Sequence, residues 1–127
     1  MKKIITLFLL ITFSVFADTA KDYREDALNG DEWAQYNLGV CYANGTGVPQ
    51  DYKQAVYWYT KAAEQGDVDA QFNLGVCYVD GTGVLQDYKQ AVYWYTKAAV
   101  QGDADAQFNL GNRYYYGEGV RKDEIMA

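Results

Sequence analysis

An all-α fold, a right-handed α-solenoid of stacked antiparallel helix hairpins, is what this 127-residue sequence predicts. Three observations carry it. Residues 31–66 and 67–102 are consecutive 36-residue blocks that differ at only seven positions: 32, 33, 36, 43, 44, 49 and 64 of the first block. A fixed period of this size marks supersecondary units that stack because none can bury its apolar face alone. Inside each block apolar residues recur at helical spacing, and glycine-rich stretches punctuate the helical runs. The period continues outward on both sides, with Ala106-Gln107-Phe108-Asn109-Leu110-Gly111 repeating Ala70 to Gly75.

Residues 1–17 read as a signal peptide outside the fold. Lys2 and Lys3 form a basic start, Ile4 to Phe16 an apolar run, and Val15-Phe16-Ala17 ends in the small residue that cleavage requires. The apolar run falls short of the roughly 20 residues that span a bilayer. The expectation is an exported chain, periplasmic or secreted, with no membrane span after cleavage. Residues 18–30 then read as the second helix only of a partial N-terminal repeat. Tyr23, Ala27 and Gly30 stand in register with Tyr59, Ala63 and Gly66.

The full repeats, 31–66 and 67–102, build the hairpins. In the second, Asp67 or Asp69 caps a helix N-terminus, accepting a bond from a free backbone N–H. Ala70, Leu74, Cys77 and Tyr78 follow on one helical face. Asp80-Gly81-Thr82-Gly83 ends that helix, its glycines supplying left-handed backbone. Asp87 with Gln90 opens the next helix as an Asp-led capping box. Its inward face reads Ala91, Trp94, Tyr95, Ala98 and Ala99. Gly75 and the alanines let helix axes approach, while Tyr78, Trp94 and Tyr95 are expected to fill the wedge between repeats. Residues 103–127 read as a truncated repeat that carries a first helix and reaches only the counterparts of Asp87 and Ala91, at Asp123 and Ala127. The face of that helix around Leu110 and Tyr114 is expected to drive self-association.

Composition narrows the function classes. Loss of Lys2 and Lys3 leaves 9 basic against 17 acidic residues, a net charge of −8. That balance disfavours nucleic acid or an anionic membrane surface as partner. The chain has no histidine and its only serine is Ser14, so the usual general base, triad and zinc ligand are missing, as is a Ser-x-x-Lys motif. No catalytic residue, metal site or cofactor is assigned. The Gly45-Thr46-Gly47, Gly81-Thr82-Gly83 and Gly117-Glu118-Gly119 loops complete no nucleotide-binding motif, and read as turns. Cys41 and Cys77 occupy equivalent positions. Adjacent helices lie about 8–10 Å apart, whereas a disulfide needs Cα atoms within about 4.4–6.8 Å, so two buried free thiols are expected.

The string Ala70-x-x-x-Leu74-Gly75-x-x-Tyr78-x-x-Gly81-x-Gly83-Val84-x-x-Asp87-x-x-x-Ala91-x-x-Trp94-Tyr95-x-Lys97-Ala98-Ala99-x-x-Gly102 resembles the Sel-1-like repeat, a relative of the tetratricopeptide repeat with a longer inter-helix loop. The resemblance implies an adaptor or scaffold that binds a protein or peptide and is not an enzyme. One branch, the Helicobacter cysteine-rich proteins, implies the alternative of an envelope protein acting on β-lactams or peptidoglycan-like molecules. Where that branch places its bridging cysteines this chain has Gln71 or Ala70, and Ala99.

By the same resemblance the first helices line a concave side, and positions pointing away from each helix pair form the candidate groove. From the first repeat these are Tyr36, Asn37 and Val40, beside Trp33 and Asn44. From the second they are Phe72, Asn73, Val76 and Asp80, beside Asp69. From the third they are Phe108, Asn109, Asn112 and Tyr116, beside Asp105. A ladder of aromatics beside a ladder of asparagines suits an extended peptide, whose backbone an amide can meet as donor and acceptor. Asparagines bridging neighbouring repeats would give the same ladder.

Overall fold

The computed structural model describes residues 20–121. The signal-peptide reading and the counterparts Asp123 and Ala127 fall outside them. The described residues form helices and turns only: α1 (20–28), α2 (Glu32–Asn44), α3 (Tyr52–Glu64), α4 (Val68–Asp80), α5 (Tyr88–Val100) and α6 (Ala104–Tyr116). α2 pairs with α3 and α4 with α5 as hairpins, and α3 packs on α4, and α5 on α6, to stack them. This is the α-solenoid the period predicts.

The helix ends repeat as faithfully as the sequence. Asp31, Asp67 and Asp103 hold extended backbone and accept from the N–H three residues on, at Ala34, Ala70 and Ala106, each at 2.8 Å. Asp67, rather than Asp69, is therefore the cap of α4. Asp51 and Asp87 cap α3 and α5 through two backbone N–H groups each. The reciprocal bond expected of Gln90 does not form, because the Asp87 N–H donates to the Tyr78 carbonyl at 2.9 Å. α2, α4 and α6 stop at Gly45, Gly81 and Gly117, left-handed at φ near 70°.

Two cores run through the stack. One gathers Leu38, Trp58, Tyr59, Leu74 and Trp94, so Trp94 joins its own repeat to the one before. The other gathers Ala91, Tyr95, Ala98 and Ala106, and Tyr78 lies against both. Tyr95 reaches the next repeat as expected, sharing the second core with Ala106 of α6. It also closes its own hairpin, where a Cβ on Gly75 would come within 2.6 Å of its ring; Tyr59 stands at 2.7 Å over Gly39 in the same way. At Gly111 a Cβ would meet nothing within 4 Å.

The junction between hairpins is polar at its centre. Gln35 and Gln71 are buried, and their Nε2 atoms donate to the Ala27 and Ala63 carbonyls at 3.2 Å. Their Oε1 atoms accept from Gln65 and Gln101 at 2.7 and 2.8 Å. Gln65 and Gln101 also donate to the carbonyls of Gly30 and Gly66, each at 3.0 Å. One turn of each repeat is thereby tied to the loop of the repeat before it. The sequence named Gln71 only where a related branch places a cysteine, and gave none of these four glutamines a role.

Two further expectations are corrected. Cys41 and Cys77 are free, but only Cys41 is buried while Cys77 is half-buried. Leu110 and Tyr114 are half-buried, since α5 covers that side of α6. The exposed large apolar residues of α6 are Phe108, Tyr115 and Tyr116.

Candidate functional site

The first helix of each repeat presents its groove positions at the same angular place, because the same cap starts each helix at the same residue. The rings at Tyr36 and Phe72 do not point away from the helix pair. Each lies against the tyrosine of its own second helix, Tyr36 on Tyr59 and Phe72 on Tyr95, with centroids 5.9 Å apart. Phe108, without such a tyrosine among the described residues, is 71% exposed.

The asparagine ladder divides. Asn37 and Asn109 turn back on their own helices and donate to the carbonyls of Trp33 and Asp105, each at 2.8 Å. Asn73 reaches across to the preceding repeat, with its Nδ2 at 3.5 Å from the Tyr36 hydroxyl. Each of these amides donates once and keeps its oxygen as an acceptor, and Asn73 does so while serving the repeat junction.

Between the two hairpins these helices leave a cleft of about 320 Å³. Asn73, Val76 and Asp80 of α4, three of the expected groove residues, line it together with Cys77, Ala43 of α2 and Tyr59 of α3. Tyr59 and Cys77 were not among the expected site residues. Their inward helical register reads as core, and only the offset between stacked hairpins brings them to an opening. Burial pushes the Cys77 thiol up to about 11, with Asp80 adding to it, and it holds the Tyr59 hydroxyl protonated well above its ordinary range. The cleft is therefore lined by uncharged groups at neutral pH, with the exposed Asp80 carboxylate at its edge.

A second source of charge lies one turn toward the start of α4. Burial raises the carboxyl of Asp69, and the charges of Asp67 and Asp103 raise it further. Glu32 is raised by burial and then by Asp67. Like charges accumulate where the first helices begin.

The next junction is built differently. The equivalent of Cys77 is Arg113, whose guanidinium stands 5.4 Å over the Tyr88 ring and 3.4 Å from the Glu118 carboxylate. Tyr88 is the equivalent of Tyr52, which lines the first cleft. Val76 and Asp80 likewise become Asn112 and Tyr116. Phe108, Asn109, Asn112 and Tyr116 thus lie on a helix of different character from their counterparts. No group of acids and cysteines among the described residues could hold a metal ion, and no described helix is long and apolar enough to cross a membrane.

Comparison with known proteins places this architecture. The Sel1 repeat model matches residues 34–67, 68–103 and 104–127. Among solved structures the chain is similar to c5321, described as a protective antigen of uropathogenic Escherichia coli strains with an SLR fold. They share 43% identity over 83% of this chain and 22% of that one, with a TM-score of 0.81. It is also similar to a Sel1 repeat protein from Oxalobacter formigenes, 41% identical over 81% of this chain and 42% of that one, TM-score 0.79. Cysteine-rich protein B of Helicobacter pylori is 31% identical over 72% of this chain and 68% of that one, TM-score 0.68. The chain spans less than half the length of the first two relatives. No curated protein matches it significantly.

Proposed function

The chain belongs to the Sel1 repeat family, and from that premise we propose that it is an exported interaction module without catalysis of its own, binding a peptide or protein segment along α2 and α4. Sel1 repeats generally mediate protein–protein interaction. The observation that carries the specific reading is the cleft between the hairpins. It offers Tyr59, Val76 and Cys77 to an apolar side chain and Asn73 to a peptide backbone. The carboxylates on either side, Asp69 and Asp80, favour a ligand with basic residues flanking its apolar anchor. A cation near Asp69 relieves the repulsion from Asp67 and Asp103. The division of the chain into a signal peptide at 1–17 and repeats beginning at 18, 31, 67 and 103 belongs to the same proposal, as does a periplasmic or secreted location.

Photo-crosslinking from position 43, which lines the same cleft, in the cells that produce the chain tests this reading. The expected result is one saturable protein adduct, competed by untagged chain. It should be lost in Val76→Arg at unchanged helicity and weakened several-fold by raising salt from 0.05 to about 0.5 M. An adduct that survives Val76→Arg, or none at all in an exported chain, overturns the assignment of the cleft.

A second reading rests on the likeness to the Helicobacter protein: an envelope protein acting on β-lactam or peptidoglycan-like small molecules. Turnover of a chromogenic β-lactam by the purified chain, absent from a mock preparation, would replace the first reading with this one.

A further inference from the structure

The third repeat fills with its own side chain a place that the second leaves open. Cys77 lines the cleft between the hairpins, and its equivalent is Arg113. The surroundings of the two positions are built alike. Gln50 and Gln86 donate to the hydroxyls of Tyr52 and Tyr88 at 3.0 and 3.2 Å, so both rings are held by the same bond. The loop after α4 seats on the start of α3 as the loop after α6 seats on the start of α5. A Cβ on Gly83 would strike the Tyr52 carbonyl, and one on Gly119 the Tyr88 carbonyl.

What differs is the occupant. In the third repeat the Arg113 guanidinium carbon stands 5.4 Å from the centroid of the Tyr88 ring. Its Nη1 lies 3.4 Å from the Glu118 carboxylate, and the side chain is only 13% exposed. In the second repeat the side chain stops at a sulfur, and the Tyr52 ring is exposed where the Tyr88 ring is half-buried. The acid is kept but moved. Thr82 stands where Glu118 does, and Asp80 where Tyr116 does. Asp80 lines the cleft, and its charge adds to the burial that raises the Cys77 thiol. A ring and a carboxylate thus face one opening, as they do around Arg113. A planar, weakly hydrated guanidinium lies on the one and pairs with the other at once, which a compact ammonium does less well.

We propose that the peptide bound along α2 and α4 carries an arginine whose guanidinium lies over Tyr52 and pairs with Asp80. This arginine is the basic neighbour of the apolar anchor on Val76, and its assignment rests on that reading of the cleft. The probe that tests it is N-acetyl-arginine N-methylamide, titrated into the purified full chain and followed by NMR. The signals of Tyr52 and Asp80 should move saturably, at least tenfold more tightly than with the lysine or the citrulline counterpart, the second of which keeps the shape and loses the charge. Cys77→Arg with Thr82→Glu, which rebuilds the set of the third repeat, should keep helicity and melting temperature and lose the binding. Asp80→Asn should weaken it several-fold. Equal affinity for the arginine and citrulline probes, unchanged binding by either variant, or no movement of the Tyr52 signals would each overturn the assignment. In cells, an adduct from position 43 that is lost in Val76→Arg but undiminished in Asp80→Asn overturns the arginine and leaves the cleft standing. No adduct at all in an exported chain overturns both.

Discussion

A methyl group on residue 75 would lie 2.6 Å from the ring of a tyrosine that is itself 1% exposed, so neither side can yield without disturbing the hairpin. Gly75→Ala gains about 1 kcal/mol of helix propensity and sets against it an overpacking cost of about 1–3 kcal/mol. The net expectation is destabilisation, whereas Gly111→Ala keeps the gain because its Cβ meets nothing. Urea melts of both variants should therefore move in opposite directions. The same close packing sets a pH response. Burial holds the Tyr95 hydroxyl up to about 12 and the Cys77 thiol up to about 11, above the ordinary values near 10 and 9. The folded chain keeps protons that the unfolded chain releases. Their contribution is full below about pH 9 and is lost as pH rises through 11 and 12. Melting temperature should fall steeply over that range, and Tyr95→Phe should remove part of the slope. A flat profile from pH 8 to 12 would contradict the burial of both groups.

Between elements, the glutamine pairs do what the apolar faces cannot, which is to fix the offset of one hairpin on the next. Gln71 satisfies the Ala63 carbonyl and accepts from Gln101 inside the junction. Gln71→Leu leaves buried polar groups without partners, a loss of about 1–3 kcal/mol. Because the damage falls at an interface between repeats, the two hairpins should also melt less as one unit, with a lower apparent m-value. Gln107, the exposed third copy, makes only the bond to Ala99 among the described residues, and Gln107→Leu should stay within about 0.5 kcal/mol of the parent. Equal effects of the two variants would show that the junction does not act through this bond. Helix order, the Asp caps and the glycine stops were all legible, since each is a local choice written twice. The glutamine pairs were not, because two polar residues thirty positions apart in each pair read as solvated surface until the ends of the repeat are brought together.

For the whole molecule, the period alone specified the solenoid, while the candidate site was legible only in part. Asn73, Val76 and Asp80 fall in one cleft, yet helical spacing cannot say whether an asparagine turns outward or back onto a carbonyl four residues behind it. Asn37 and Asn109 do the latter. Nor does spacing reveal that Tyr59 and Cys77, inward on their own helices, reach an opening left by the stacking offset. The departures of the third repeat at residues 112–116 were visible in the sequence. Their meaning needed Arg113 placed over Tyr88.

Near-identity of the repeats has a kinetic side. Gly39 meets Tyr59 as Gly75 meets Tyr95, in almost the same surroundings, so before α4 has docked the first socket fits either ring. The non-native closure differs by one 36-residue block of extra loop, an entropic handicap of only about 1 kcal/mol. A chain diluted from denaturant therefore samples a skipped register, and in crowded solution a tyrosine from another molecule. During synthesis α3 emerges before α5, and the order in which the ribosome delivers the two tyrosines favours the native partner where the energies scarcely distinguish them.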